Sequence, residues 1–184
     1  SERRSGLFLD HTLARNMLYV VLELLHRRGR LRLLSWRHAP DDVGLSAMIV
    51  EDGLQCRIPL VPDAVIVVRV DGVDELLVVE VDMGTVAPVR MQRKYAAYWK
   101  AWRTGKLARL APAPVRVLTL TTTPSRLARL RLASMSSPEG DRTSRLFWFA
   151  PLDGFGIAEP EKLLAPICST SDPADQHPLP LFTS

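Results

Sequence analysis

Pro62-Asp63-Ala64-Val65-Ile66-Val67-Val68-Arg69-Val70, then Asp71-Gly72-Val73-Asp74-Glu75, then Leu76-Leu77-Val78-Val79-Glu80-Val81-Asp82: the reading of this stretch decides the fold. Ala64 to Val70 is a β-branched run, Asp71 to Asp74 a turn, and Leu76 to Asp82 a second strand. Both strands are apolar on nearly every residue, so the hairpin belongs inside a sheet that is covered on its two faces. Downstream, Gly84 and Pro88 break the pattern, and Val89 to Arg103 reads as a helix with Met91, Tyr95, Tyr98 and Trp102 on one stripe. Pro112 and Pro114 introduce a buried strand, Val115 to Thr121. Pro124 then opens a helix to about Ser134. Ser136 to Asp141 is a loop, Leu146 to Phe149 a strand, Glu161 to Ile167 a short helix, and Ser169 to Ser184 a mobile tail rich in Ser, Pro and Asp.

Upstream, Leu13, Met17, Val20, Val21, Leu24 and Leu25 recur at helical spacing, which predicts a helix from Thr12 to Arg28, capped by Asp10 or Thr12 and stopped by Gly29. Leu31 to Trp36 is a short strand. Pro40-Asp41-Asp42 and Glu51-Asp52-Gly53 are turn signals around a strand near Ala47 to Val50. The series predicts an α/β fold, a mixed central sheet flanked by helices on both faces. Residues 1–168 form a single domain and residues 169–184 a flexible C-terminal tail.

The 184 residues are 47% hydrophobic and 24% charged, which excludes collagenous, disordered and disulfide-scaffold classes. A net charge of +4 conceals an uneven distribution. Residues 90 to 145 carry 13 basic side chains and only two acids, Glu139 and Asp141, leaving −7 on the rest of the chain. A basic block of this size points to a polyanion partner. Cys56 and Cys168 have no metal-ligand spacing and read as free thiols of a reducing compartment. No apolar run reaches the length of a membrane span. The chain is therefore expected to be cytoplasmic, without a membrane partner. It begins without Met, which suggests a domain excised from a larger protein.

Three carboxylates stand at the ends of apolar strands. Glu80 and Asp82, two residues apart, share one face with Leu76 and Val78. The hairpin brings Asp63 back beside residues 80 to 82. Strand-end acids commonly just face solvent; three at one end raise one another's pKa unless a cation compensates. Mg²⁺ or Mn²⁺ takes such oxygen ligands and activates water. Lys94 flanks the apolar stripe of its helix, where its stem can cross the core while the ammonium reaches the strand ends. It is one of four lysines against twenty arginines.

Pro62-Asp63, Glu80-Val81-Asp82 and Lys94, in this order of elements, resemble the PD-(D/E)xK nuclease superfamily, whose core has the same series of helix, hairpin, strand, helix and strand. More narrowly, His11-Thr12-Leu13, Trp36, Ile58 to Asp63, Glu80 to Thr85 and Lys94 to Tyr98 resemble the replication-relaxation family of bacterial plasmids and mobile elements, over about residues 10 to 121. The resemblance implies Asp63 and Glu80 as metal ligands, with the Val81 carbonyl as a third, and Lys94 as the group that positions water or stabilises the pentavalent phosphoryl transition state. The superfamily's lysine position, two residues after the second acid, is occupied here by Asp82, so the lysine lies in the helix instead. Family members usually carry an N-terminal winged-helix region, absent from this sequence.

His11 is a further candidate for the site, and Asp82 either adds a metal ligand or orients Lys94. Gln92 could touch a phosphate. Arg90, Arg93, Lys100, Arg103, Lys106 and Arg109 lie on or after the helix that carries Lys94. Arg126, Arg129 and Arg131 lie on the next. Such side chains hold phosphates without reading sequence. Tyr95, Tyr98, Trp99 and Trp102 read as core rather than as base-stacking platforms. The first reading is a Mg²⁺- or Mn²⁺-dependent endonuclease, a DNA phosphodiester hydrolase. The second is a non-cleaving DNA-binding or assembly module with a nuclease-like fold, and the third a domain whose basic face binds an acidic protein.

Overall fold

The computed structural model describes residues 2–38, 44–136 and 145–182. The turn expected at Pro40-Asp41-Asp42 and most of the loop expected at Ser136 to Asp141 lie outside them.

The hairpin is the centre of the sheet. Strands β4 (Ala64–Val70) and β5 (Val73–Asp82) are antiparallel and in register from Val70↔Val73 to Ala64↔Val79. The turn is tighter than the sequence predicts. Asp71 and Gly72 alone make it, both at positive φ (49° and 84°), the Asp-Gly pairing that matches the twist of two antiparallel strands. Around the hairpin the sheet runs β1 (Arg32–His38), β4, β5, β6 (Val115–Thr121), β7 (Phe147–Pro151), β8 (Pro166–Thr170) and β9 (Leu179–Pro180). The pairs β5–β6 and β6–β7 are parallel and the other four antiparallel, so the sheet is mixed as expected. A separate ribbon of β2 (Ser46–Glu51) and β3 (Leu54–Pro59) completes the strands.

Helices cover both faces. Helix α1 (Glu2–Arg27) lies on the face of Leu77, Val79 and Val81, in one core with Leu18, Val21, Leu22 and Leu25. On the opposite face, α2 (Pro88–Arg103), α3 (Pro124–Met135) and the ribbon pack on Val65, Leu76 and Val78. Proline opens both later helices. At α3 the Thr123 hydroxyl also accepts from the Arg126 amide at 3.2 Å, capping the first turn. Gly29, at φ 69°, ends α1 as read from the sequence.

The structure differs from the sequence reading in several places. Helix α1 starts ten residues before Thr12, because nothing before Asp10 forces a break and an exposed Asp inside a helix costs little. Its buried stripe is also rotated: Leu13 is 56% exposed and Leu18 fully buried. A helix apolar on most sides does not fix its own phase. Glu161 to Ile167 is not a helix; Pro160–Leu164 is a single 3₁₀ segment followed by β8. The expected tail is part of the fold. Thr170 is buried, its hydroxyl donates to Asp175 Oδ2 at 2.5 Å, and Leu181 and Phe182 enter the α1-side core. Ser, Pro and Asp there serve edge strands and turns rather than disorder. Cys56 and Cys168 are free, and no helix of the described residues is long and apolar enough to cross a membrane.

A mobile tail would tolerate truncation of its side chains. Phe182→Ala is expected to lower stability by about 3 kcal/mol, read as a shifted urea midpoint; an unchanged midpoint contradicts the packing of this segment.

Candidate functional site

Beyond Ala64↔Val79 strand β4 has ended while β5 continues, and that step in the sheet creates the site. Asp63 bridges the step. Its amide donates to the Val79 carbonyl at 2.8 Å, and its Oδ2 accepts from the Val81 amide at 2.7 Å. In an extended strand the N–H and C=O of one residue point the same way, so the Val81 carbonyl also lies on this vacated edge. His11, in the middle of α1 rather than near a cap, brings Nε2 to 3.3 Å from Asp63 Oδ2.

Glu80 is 4% exposed and projects to the α2 face. Lys94 Nζ donates to Glu80 Oε2 at 2.6 Å and to the Val61 carbonyl at 3.2 Å. The buried Tyr98 hydroxyl donates to Glu80 Oε1. Burial dominates the carboxyl's titration and pushes it from 4.5 up to about 7; Lys94 opposes this, and Asp63 adds to it. Burial, then the charge of Glu80, push the Tyr98 hydroxyl well above its usual range, so it remains a donor.

These groups line one cleft of about 700 Å³, with His11, Asp63, Glu80 and Lys94 on its polar part and Arg90 and Arg93 beside them. Apolar side chains line it from two stretches of chain: Ile58, Pro59 and Val61 before β4, and Met83, Val86 and Met91 after β5.

Asp82 lines the cleft without being the free third acid that the strand pattern predicts. Arg126 grips it with two bonds, Nε to Oδ2 at 2.7 Å and Nη2 to Oδ1 at 2.8 Å, and donates to the Val86 carbonyl at 2.6 Å. Thr121 Oγ1 and the Gly84 amide also reach Asp82 Oδ2. With its charge neutralised by a buried guanidinium, Asp82 neither orients Lys94 nor joins Asp63 and Glu80. It anchors the loop between β5 and α2. Among the described residues, no group of three or more His, Cys, Asp or Glu side chains gathers as metal ligands would.

The basic residues divide in the same way. Arg90 is exposed at the cleft, and Arg93 is exposed there with Nε 2.5 Å from Glu51 Oε1. Lys100 is half-buried on α2, while Arg103 and Arg109 are exposed beyond it. Lys106 donates to the Ser46 carbonyl at 2.8 Å, tying the chain after α2 to the ribbon. Arg126 and Arg131 are structural; Arg131 donates to the carbonyls of Thr170, Asp172 and Asp175. Arg129 is exposed. Gln92 donates to the Ser136 carbonyl at 3.3 Å. Tyr95, Tyr98 and Trp99 are core as expected, but Trp102 is 42% exposed, its ring 5.0 Å from that of Trp99.

Sequence reasoning missed two partners. Helical spacing reads Tyr98 as core alone, although it lies one turn after Lys94 on the face toward Glu80. Arg126 sits in the first turn after β6, whose terminal Thr121 pairs with Asp82, and that register was the available signal.

Fold and cleft together define a mixed α/β domain with a lysine-bearing acidic site at the end of its sheet. Residues 2–112 match the Replication-relaxation family, and the chain belongs to it. The matched region holds His11, Asp63, Glu80 and Lys94 and ends before α3. No curated protein and no solved structure matches the chain.

The folded protein holds the Glu80 proton more tightly than the unfolded chain does. That contribution to stability is full below 4.5 and is lost as pH rises through about 7. Urea unfolding between about pH 4.5 and about pH 8 should show wild-type stability falling relative to Glu80→Gln; parallel profiles would contradict this account of Glu80.

Proposed function

We propose that the cleft is a metal-dependent phosphodiester-hydrolysing site acting on DNA, carried by a PD-(D/E)xK-like version of the mixed sheet. The observation that supports this reading most is the convergence on one cleft of Asp63, Glu80 and Lys94, from three different elements, with Lys94 2.6 Å from Glu80. Apart from the β2–β3 ribbon inserted after β1, the order of helix, three antiparallel strands, helix and parallel strand agrees with what the superfamily resemblance implies.

The donor set is all oxygen: two carboxylates and the Val81 carbonyl. Mg²⁺ and Mn²⁺ favour oxygen donors, and Mg²⁺ sites commonly use one or two carboxylates and keep several waters, so the residues fit such an ion. When bound, the ion would neutralise charge on a phosphoryl oxygen and acidify its water. The chain's own residues do the rest. His11 and the Val81 amide orient Asp63, and Tyr98 fixes one oxygen of Glu80. The Lys94 ammonium, released from Glu80 or shared with it, meets the charge that develops on the phosphoryl group. Arg90, exposed at the cleft, would hold a flanking phosphate.

One observation favours a second reading, a non-cleaving DNA-binding or assembly module. Both Glu80 oxygens are already engaged, by Lys94 and Tyr98.

Supercoiled and linear DNA incubated with Mg²⁺ or Mn²⁺ should be cut by the wild type. Asp63→Ala and Glu80→Ala should abolish cutting, and Lys94→Ala should slow it by about 100-fold. Absence of metal-dependent cutting above the level of these variants overturns the nuclease reading. Salt-sensitive DNA binding that survives in all three would then support the module.

A further inference from the structure

We infer that the cleft takes an unpaired DNA strand rather than uninterrupted duplex, an inference that rests on the nucleic-acid reading above and names the form of its ligand. The cleft has two chemistries in fixed positions. Besides Asp63, Glu80, Lys94 and two arginines, it is lined by the apolar side chains of Ile58, Pro59, Val61, Met83, Val86 and Met91.

A duplex presents sugar and phosphate on its outside and keeps its bases stacked, so it gives apolar lining side chains no base to meet. Apolar side chains beside groups that hold a phosphate suit a different ligand, one whose flat base lies beside its phosphate and is free to enter. Only an unstacked nucleotide offers that. Size agrees. At about 700 Å³ the cleft falls among pockets that enclose a small molecule, about 300–1,000 Å³, whereas duplex recognition spreads over an extended face.

Charge agrees as well. Exposed Arg90 lines the cleft near the start of α2, and exposed Arg103 and Arg109 lie at its end and just beyond it. The segments that carry these side chains are also held in place: Arg126 donates to the Val86 carbonyl and Lys94 to the Val61 carbonyl. Val61 itself is 47% exposed, an apolar side chain that lines the cleft.

Binding can be read without cleavage. Fluorescence anisotropy in EDTA compares a labelled single-stranded oligonucleotide with the same sequence as a blunt duplex. The inference predicts that the single strand binds about tenfold more tightly. Val61→Asp, at an exposed position, should remove that preference while leaving the thermal unfolding midpoint unchanged, and Val61→Leu should retain it. Arg90→Gln should weaken both ligands alike, with a shallower salt dependence. Equal or tighter binding of the duplex, or a preference unaffected by Val61→Asp in the folded protein, overturns the inference and leaves the nuclease reading standing. Strand preference without metal-dependent cutting of either form would instead overturn the nuclease reading and keep this one.

Discussion

Glu80 is a carboxylate buried at the end of a strand that is otherwise apolar, and the surrounding structure is arranged to make that possible. Burial, opposed by Lys94 and aided by Asp63, drives its titration up to about 7, so the fold holds an acid poised between its two charge states. An uncompensated charge there would cost several kcal/mol. Compensation comes from one helix: Lys94 and Tyr98, four residues apart, occupy the two oxygens. Holding both on Glu80 fixes the rotation and height of α2 against the sheet. The other apolar residues of α2, Met91, Tyr95 and Trp99, fill the same face in consequence.

Asp82 repeats the arrangement one step further along β5 with a different outcome. Its partner is the Arg126 guanidinium, whose fork matches a carboxylate in two bonds and leaves it no spare charge. Two acids of the same strand and face therefore do different work. Glu80, held by Lys94 and Tyr98, lines the cleft beside Asp63, while Asp82 becomes a bolt that ties α3 to the loop after β5. The lysine and the arginine are not interchangeable here: a point charge on a flexible stem can leave its partner, and a bidentate fork does so less readily.

Much of this is legible in the sequence where the period is short. Two-residue alternation places Glu80 and Asp82 on the face of Leu76 and Val78, and the antiparallel return places Asp63 beside the 80–82 stretch; both hold in the structure, where Asp63 accepts from the Val81 amide. The bounds of β6 are also as read. Illegible were the features set by partners distant in the chain. Nothing local to Asp82 announces Arg126, 44 residues away. Strand β3 alternates exposed and half-buried side chains over a ribbon that packs on α2, and Ser169 to Phe182 has the composition of a tail yet pairs and packs at a sheet edge. Such segments are decided by the surface they meet, not by their own propensity.

The central claim is that Asp63 and Glu80 form one cation site at the step where β4 ends and β5 continues. Calorimetric titration of Mn²⁺ into the protein, at a pH above the Glu80 midpoint of about 7, tests it most directly. The account predicts a single site, lost in both Asp63→Asn and Glu80→Gln while Asp82→Asn, where it folds, still binds. Unchanged binding in Asp63→Asn and Glu80→Gln, or none in the wild type, would contradict it.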